Sequence, residues 1–501
     1  MSWRLSAAAL SLGLMLACRG TPAPSLPAAP PRTATTSPSV DALRLRVARL
    51  LADPNVAAGT WGLEVRSLRT QETLVETNAH RLLTPGSTLK AVTLAVAADR
   101  LGWDYTYDTR VVAKGAVANG VLDGDLVVIG SGDPSFDDWD GSASAVFGSW
   151  ANALKTRGVS AVSGRVVGNH SVFADDGFGA GWMWDDMAYA YSAPASGLQF
   201  NEGAAQVSIT PGAAVGDPPV LALVPSHARV PVVNNARTGP AGSGTTLTLQ
   251  ALPRTAGATL SGTVALDSRP QLRNVSVGNP ALYFANALRT GLLANGVDVF
   301  GGAMDSTEPV EVPATEGPLV LTHRSAPLSA LADTMMKLSV NLYAETLLRT
   351  LGRDQGGDGS ASAGIQVVRD ALVSWGVPAA EVQIADGSGL SRYNLATPDA
   401  IVSVLAHVFA DDRLRDPYIA SLPVAGVSGT LASRMKGTAA ERNAQAKTGS
   451  FTNLRAVAGY VHSAEGEPLA FAIIANNYGG APAPVDHVTD AVVGTLAEFR
   501  R

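Results

Sequence analysis

The sequence predicts an α/β domain of the α+β kind, an antiparallel sheet covered by helices, carrying a large mostly-β insertion that forms one or two extra domains. Three observations predict it. The chain opens on a helix, a hairpin and a helix, and it closes on a hairpin and a helix. Between Asp104 and Arg273, helical periodicity gives way to short β-rich runs and crowded turn residues. The two ends therefore complete each other around the intervening block, each element burying one apolar face against the next layer. At 501 residues, 46% of them hydrophobic and 16% charged, the chain has material for about three domains and a large core.

The elements follow in order. Residues 1–18 read as an export signal. Met1-Ser2-Trp3-Arg4 carries one positive charge, and Leu5 to Ala17 is apolar but too short to span a bilayer as a stable helix. Cys18 is the only cysteine, so a disulfide framework within one chain is impossible. Met15-Leu16-Ala17-Cys18 resembles a bacterial lipoprotein signal, with Met15 where leucine is usual and Leu16 where a smaller residue is usual. Lipidation at Cys18 and ordinary secretory cleavage are the two alternatives, and both export the mature chain. Residues 19–38, dominated by Pro, Ala, Thr and Ser, form a flexible tether.

Residues 39–103 are expected to be the first part of the main domain. Leu43 to Leu51 has helical spacing behind Ser39 as a cap, and Thr60 to Ser67 and Glu72 to Asn78 are strand-like runs either side of a polar turn. Pro85-Gly86 then breaks the chain, and the apolar run Ala91 to Ala98 predicts a helix ending near Leu101. Residues 104–273 are the insertion, with 104–195 plus 256–273 expected as one domain and 196–255 as a nested one. Its strand-like runs include Leu126–Ile129, Gly164–Gly168, Ala205–Thr210, Val220–Val224, Thr245–Leu249 and Gly262–Leu266, with one helix near Ser144 to Arg157. Residues 274–501 return to the main domain. Helices are expected from Asn279 to Asn295, from Ser329 to Leu351 with a break near Ser339, from Val367 to Trp375 and from Pro398 to Ala410. Strands at Leu454–His462 and Pro468–Asn477 and a helix from Pro484 close the chain.

Composition excludes several functions. A net charge of −6 without a basic stripe offers no nucleic-acid surface. The seven histidines never approach metal-ligand spacing and no Cys/His cluster exists, so neither a metal nor another cofactor is expected.

Three short motifs carry chemistry. Ser87-Thr88-Leu89-Lys90 stands at the start of the helix that follows Pro85-Gly86, so the serine hydroxyl and the lysine amine share a face three residues apart. An amine there can take the serine proton, and a helix N-terminus favours developing negative charge. Alone, the pattern reads equally as a serine cap followed by a first-turn lysine. Ser339-Val340-Asn341 falls at the break in the long helical stretch, and Lys447-Thr448-Gly449 just precedes the closing hairpin. Each motif is common by chance; the ordered set of all three is the signature of serine penicillin-recognising enzymes.

With those motifs in place the chain resembles the D-alanyl-D-alanine carboxypeptidase/endopeptidase family, three-domain low-molecular-mass penicillin-binding proteins with a serine β-lactamase/transpeptidase-like domain. The likeness runs through LVVIGSGDPSF from Leu126, GWMWDDMAYAYSAPASGL from Gly181, SVNLYAE from Ser339, DGSGLSRYNLATP from Asp386 and LPVAGVSG from Leu422. The resemblance implies a periplasmic hydrolase of peptidoglycan stem peptides, acylated by β-lactams and anchored to the membrane if Cys18 is lipidated. It implies that Ser87 attacks the penultimate D-alanine carbonyl, that Lys90 is the base, and that Ser339 relays a proton to the leaving nitrogen. It further implies that Asn341 orients Lys90 and binds the substrate backbone, and that Lys447 and Thr448 face the terminal carboxylate. Gly449 is expected to let the substrate strand lie close, and the N–H groups of Ser87 and Ser450 to form the oxyanion hole.

In the same resemblance, Asp186 and Tyr191 face the site from the insertion and suit the amino group and stem of a diaminopimelate side chain, which would allow endopeptidase action. The alternative is that Trp182, Trp184, Tyr189 and Tyr191 pack the insertion's core. Asp386 and the Gly-Asp-Pro at 132–134 read as structural turns. Two other functions fit the motifs: a serine β-lactamase, which in its compact class A form uses a dedicated glutamate with an asparagine nearby, an element not found between Asn341 and Lys447, and a non-catalytic wall-binding lipoprotein.

Overall fold

The computed structural model describes residues 38–253, 256–310 and 320–501. The export signal, Cys18 and nearly all of the tether lie outside the described residues. Among the described residues no helix is long and apolar enough to cross a membrane.

The two ends of the chain build one antiparallel five-stranded sheet. Its order is Thr73–Thr77, Thr60–Ser67, Pro468–Asn476, Leu454–His462 and Gln445–Phe451. Pro468–Asn476 runs central, paired along its length with Thr60–Ser67 on one side and Leu454–His462 on the other. Because strand side chains alternate faces, its residues divide between two cores. Leu469, Phe471, Ile473 and Ala475 pack beneath the helices Pro38–Leu51 and Ala483–Ala497. Ala470, Ala472 and Ile474 pack against the helices Leu89–Leu101 and Pro398–Ala410. A strand covered on both faces needs apolar residues at every position, and each large one buried contributes roughly 1.5–3 kcal/mol.

Leu89–Leu101 is the central helix of the second layer, and every residue from Leu89 to Ala98 is buried. Its alanines let neighbours approach closely from all sides, and the Tyr418 hydroxyl donates to the Ala91 carbonyl at 2.9 Å. The long helical stretch divides where expected. Leu328–Asp333 passes into a π-turn at Thr334–Leu338, Ser339 adopts a left-handed φ of 64°, and a new helix runs Asn341–Asp354.

Strand pairing extends the insertion beyond its expected end. Val320–Arg324 pairs with Asp108–Val112, and Ala303–Ser306 pairs with Val166–Asn169, so both belong to the insertion's seven-stranded sheet. The helix Pro280–Ala294, expected in the main domain, packs instead on that sheet and on the helix Ser142–Thr156. The return to the main domain therefore comes after Arg324 rather than at 274. The expected pairing of 256–273 with the larger part also changes. Gln271–Ser276 pairs with Ala204–Ile209, and Ala258–Ser261 with Thr248–Ala251, so the smaller sheets occupy the stretch from Ala204 to Ser276.

Candidate active site

A cleft of about 800 Å³ opens between the start of the Leu89 helix, the Gln445–Phe451 strand, the break at Ser339 and the Asp186–Tyr191 segment of the insertion. Ser87, Ser339, Asn341, Ser450, Asp186 and Tyr191 line it. Lys90 and Lys447 are fully buried beneath its floor, and Thr448 is nearly so.

Ser87 lies in a single 3₁₀ turn, Gly86–Thr88, that leads into the helix. The turn is pinned at both ends. The Thr88 hydroxyl donates to the Pro85 carbonyl at 2.7 Å, and the Asn476 amide both donates to the Thr84 carbonyl and accepts from its N–H. Gly449 makes the close approach that seats this turn. A Cβ there would lie 2.7 Å from the Pro85 carbonyl oxygen and 3.1 Å from the Ser87 nitrogen. Its missing side chain admits the serine turn, so that strand and turn meet backbone to backbone. This contact puts the Ser87 N–H beside the strand that carries Ser450.

Lys90 Nζ donates to three oxygens: Ser87 Oγ at 3.0 Å, Asn341 Oδ1 at 2.6 Å and the Ser388 carbonyl at 2.9 Å. Burial lowers its pKa from 10.5 to about 7, while the charges of Asp386 and Glu345 hold it from falling further. The Asn341 amide is fixed at both ends, because its Nδ2 donates to the Tyr191 carbonyl at 2.8 Å. Lys447 Nζ donates to Ser339 Oγ at 2.8 Å and to the Thr448 carbonyl at 2.9 Å. Burial and the nearby Lys90 push its pKa well down. The left-handed backbone at Ser339 is uncommon for a residue other than glycine, and it occurs where the side chain meets Lys447.

The insertion contributes directly. Tyr191 is 44% exposed and its hydroxyl donates to Asp186 Oδ1 at 2.7 Å, so the two form a unit on the cleft wall rather than core. Tyr189 stacks on Tyr191 with ring centres 5.4 Å apart, and Trp184 is exposed. Trp182 donates to Asp386 Oδ2 at 2.9 Å. Asp386 is a turn acid as expected: it accepts from the N–H groups of Gly389 and Ser391 and from the Asn394 amide. Asp133 plays the same part, accepting from the N–H and hydroxyl of Ser135.

Sequence reasoning missed three partners. Ser388 acts through a backbone carbonyl, which no side-chain pattern reveals. Glu345 accepts from the N–H groups of Gly387 and Ser388, and Thr430 takes the Thr448 hydroxyl bond at 2.7 Å. Ser388 and Glu345 lie within the DGSGLS and SVNLYAE stretches, which mark the neighbourhood but not the contacts. Away from the cleft, folding brings His80, Glu381 and Asp399 within 4.8 Å of one another at their ligand atoms, which sequence spacing hides. Arg66 already pairs with Asp399 at 2.7 Å, and no metal role is assigned to the group.

The arrangement holds a hydroxyl beside a buried amine of lowered pKa, with backbone N–H groups and a second buried amine along one strand. That is the equipment for nucleophilic acyl transfer to an anionic substrate. Residues 43–499 match the D-Ala-D-Ala carboxypeptidase 3 (S13) family. A D-alanyl-D-alanine carboxypeptidase of Actinomadura sp. (strain R39) is 35% identical over 470 residues, which cover 91% of this chain and 85% of that protein. The D-alanyl-D-alanine carboxypeptidase DacB of Haemophilus influenzae is 26% identical over 422 residues, covering 83% and 85% of the two. The crystal structure of penicillin binding protein 4 (dacB) from Haemophilus influenzae shares the fold, with a TM-score of 0.79, 24% identity and coverage of 90% of this chain and 99% of that one.

Proposed function

The chain belongs to the D-Ala-D-Ala carboxypeptidase 3 (S13) family, and from that membership we propose how its cleft carries out the reaction. The protein is a serine D-Ala-D-Ala carboxypeptidase that hydrolyses peptidoglycan peptides. The observation that carries the mechanism is the set of three oxygens around Lys90 Nζ. Asn341 Oδ1 and the Ser388 carbonyl can only accept hydrogen bonds, whereas the Ser87 hydroxyl can donate or accept. A neutral amine therefore spends two N–H groups on Asn341 and Ser388 and turns its lone pair to the Ser87 proton.

In the proposed sequence, Ser87 Oγ attacks the penultimate D-alanine carbonyl while its proton passes to Lys90. The oxyanion is received by the N–H groups of Ser87 and Ser450, a contribution of roughly 3–4 kcal/mol. The proton taken by Lys90 is relayed through Ser339, which is held by Lys447, to the departing D-alanine nitrogen, so that Ser339 keeps its proton and Lys90 is neutral again. Thr448 presents its hydroxyl, backed by the Lys447 charge, to the terminal carboxylate. Water then hydrolyses the acyl-enzyme. The oxygens of Glu345 and Asp386 are held by backbone N–H groups and side-chain donors, and neither is offered as a base for fast acyl-enzyme hydrolysis.

The Asp186–Tyr191 pair on the wall supports an amino-bearing side chain in the substrate stem, and with it endopeptidase action on crosslinks. The apolar leader and Cys18 support export and a lipid anchor on the periplasmic face of a membrane. Covalent labelling of the full chain by a fluorescent penicillin tests the mechanism. The wild type is expected to form a long-lived adduct that Ser87→Ala abolishes. An unlabelled wild type, or label retained in Ser87→Ala, contradicts it.

A further inference from the structure

Lys90 draws two of its three partners from groups that the insertion braces. Asn341 is held by the Tyr191 carbonyl. Ser388 is held by a longer chain. Glu345 stands one helical turn after Asn341 on the same helix face, and it is wholly buried. Its Oε1 accepts from the Gly387 N–H at 3.1 Å and the Ser388 N–H at 2.8 Å, and its Oε2 accepts from Arg349 Nη1 at 3.2 Å. Arg349 is also wholly buried. Its Nε donates to Asp175 Oδ1 at 2.7 Å and its Nη2 to the Phe178 carbonyl at 3.3 Å, both in the insertion.

We infer that Glu345 is a positioning residue for acylation: held by the Arg349–Asp175 pair, it fixes the Ser388 carbonyl on Lys90 and places a negative charge beside the amine. The inference rests on the acylation mechanism proposed above. Three donors converge on the two Glu345 oxygens, an arrangement that a carboxylate accepts in full. A buried ion pair is weak evidence for stability, since well-packed apolar residues can replace it at little cost. Here, however, the carboxylate also organises the turn that feeds the base. The charges facing Lys90 are Glu345 and Asp386, which favour its ammonium form, and Lys447, which opposes it. Burial and the charge of Asp386 push Glu345 itself up to about 7, so its charge bears on Lys90 most fully on the alkaline side of neutrality.

The test is the second-order rate of labelling by a fluorescent penicillin, on the full chain, from about pH 5.5 to about pH 8.5. Glu345→Gln keeps the shape and removes the charge. Without that charge the Lys90 ammonium loses stabilisation, so the neutral amine forms at lower pH. The half-point of the acid limb is expected to fall by ~0.5 unit or more, and the plateau rate to fall by about 3–10-fold as Ser388 loosens. Asp175→Asn, a partly exposed position in the insertion, is expected to shift the limb in the same direction by a smaller amount. A Glu345→Gln protein that melts like wild type yet keeps the wild-type limb overturns the inference. If that variant does not fold, an unshifted limb in Asp175→Asn overturns it instead. Failure of the underlying mechanism is distinguishable, because the wild type then takes no label at any pH.

Discussion

Two buried lysines sit under one cleft floor, and their surroundings differ in one respect. Lys90 has two carboxylates in its field, Asp386 and Glu345, and its pKa rests at about 7. Among the described residues no carboxylate acts on Lys447, only burial and the charge of Lys90, and it is driven well below its ordinary value. In the proposed mechanism this difference suits the two lysines to different work. An amine poised near neutrality takes and returns protons with little penalty, which is what a general base requires. A buried cation without a counter-charge is costly until an anion arrives, and the substrate's own carboxylate supplies one. On that proposal the first lysine is tuned by the protein, and the second is left for the substrate to complete.

The comparison can be broken from either side. The largest expected effect is that of Lys90→Ala, which should lower acylation by about 10³-fold or more while circular dichroism and the thermal melt show a folded protein. Residual acylation within a few-fold of wild type would transfer the base to another group. A smaller, selective effect is expected of Lys447→Ala. Steady-state rates on a D-Ala-D-Ala peptide with a free carboxylate should fall by about 10–100-fold in kcat/KM, the worth of a charge-assisted contact. The same peptide ending in a carboxamide should change far less. Equal losses on both peptides would remove the distinction between the two lysines.

Much of this site was legible in the sequence because its side chains come in three local motifs. The boundaries of the closing strands and of the Pro398–Ala410 helix were legible too. Those strands are continuous apolar runs, and Thr397 caps the helix just before Pro398, accepting from the Ala400 N–H. The far end of the insertion was not legible. Val320–Arg324 belongs there only through pairing with Asp108–Val112, some two hundred positions earlier, and short strands carry no local mark of such a partner. The bracing of Lys90 was hidden for a similar reason. Ser388 contributes a carbonyl, and Arg349, which holds Glu345, meets Asp175 only once the insertion has folded against the helix. Gly449 was singled out for the approach of a substrate strand, and its contact with the serine turn emerges only once the strand and the turn are folded together.

The claim that Lys90 is the tuned base is most directly tested by the pH dependence of wild-type acylation, measured as adduct formation with a labelled penicillin. Acylation needs the neutral amine, so the rate should rise as pH increases and reach half its plateau near pH 7. A rate that stays flat through neutrality, or one that rises only near the ordinary lysine pKa of about 10.4, would contradict the account.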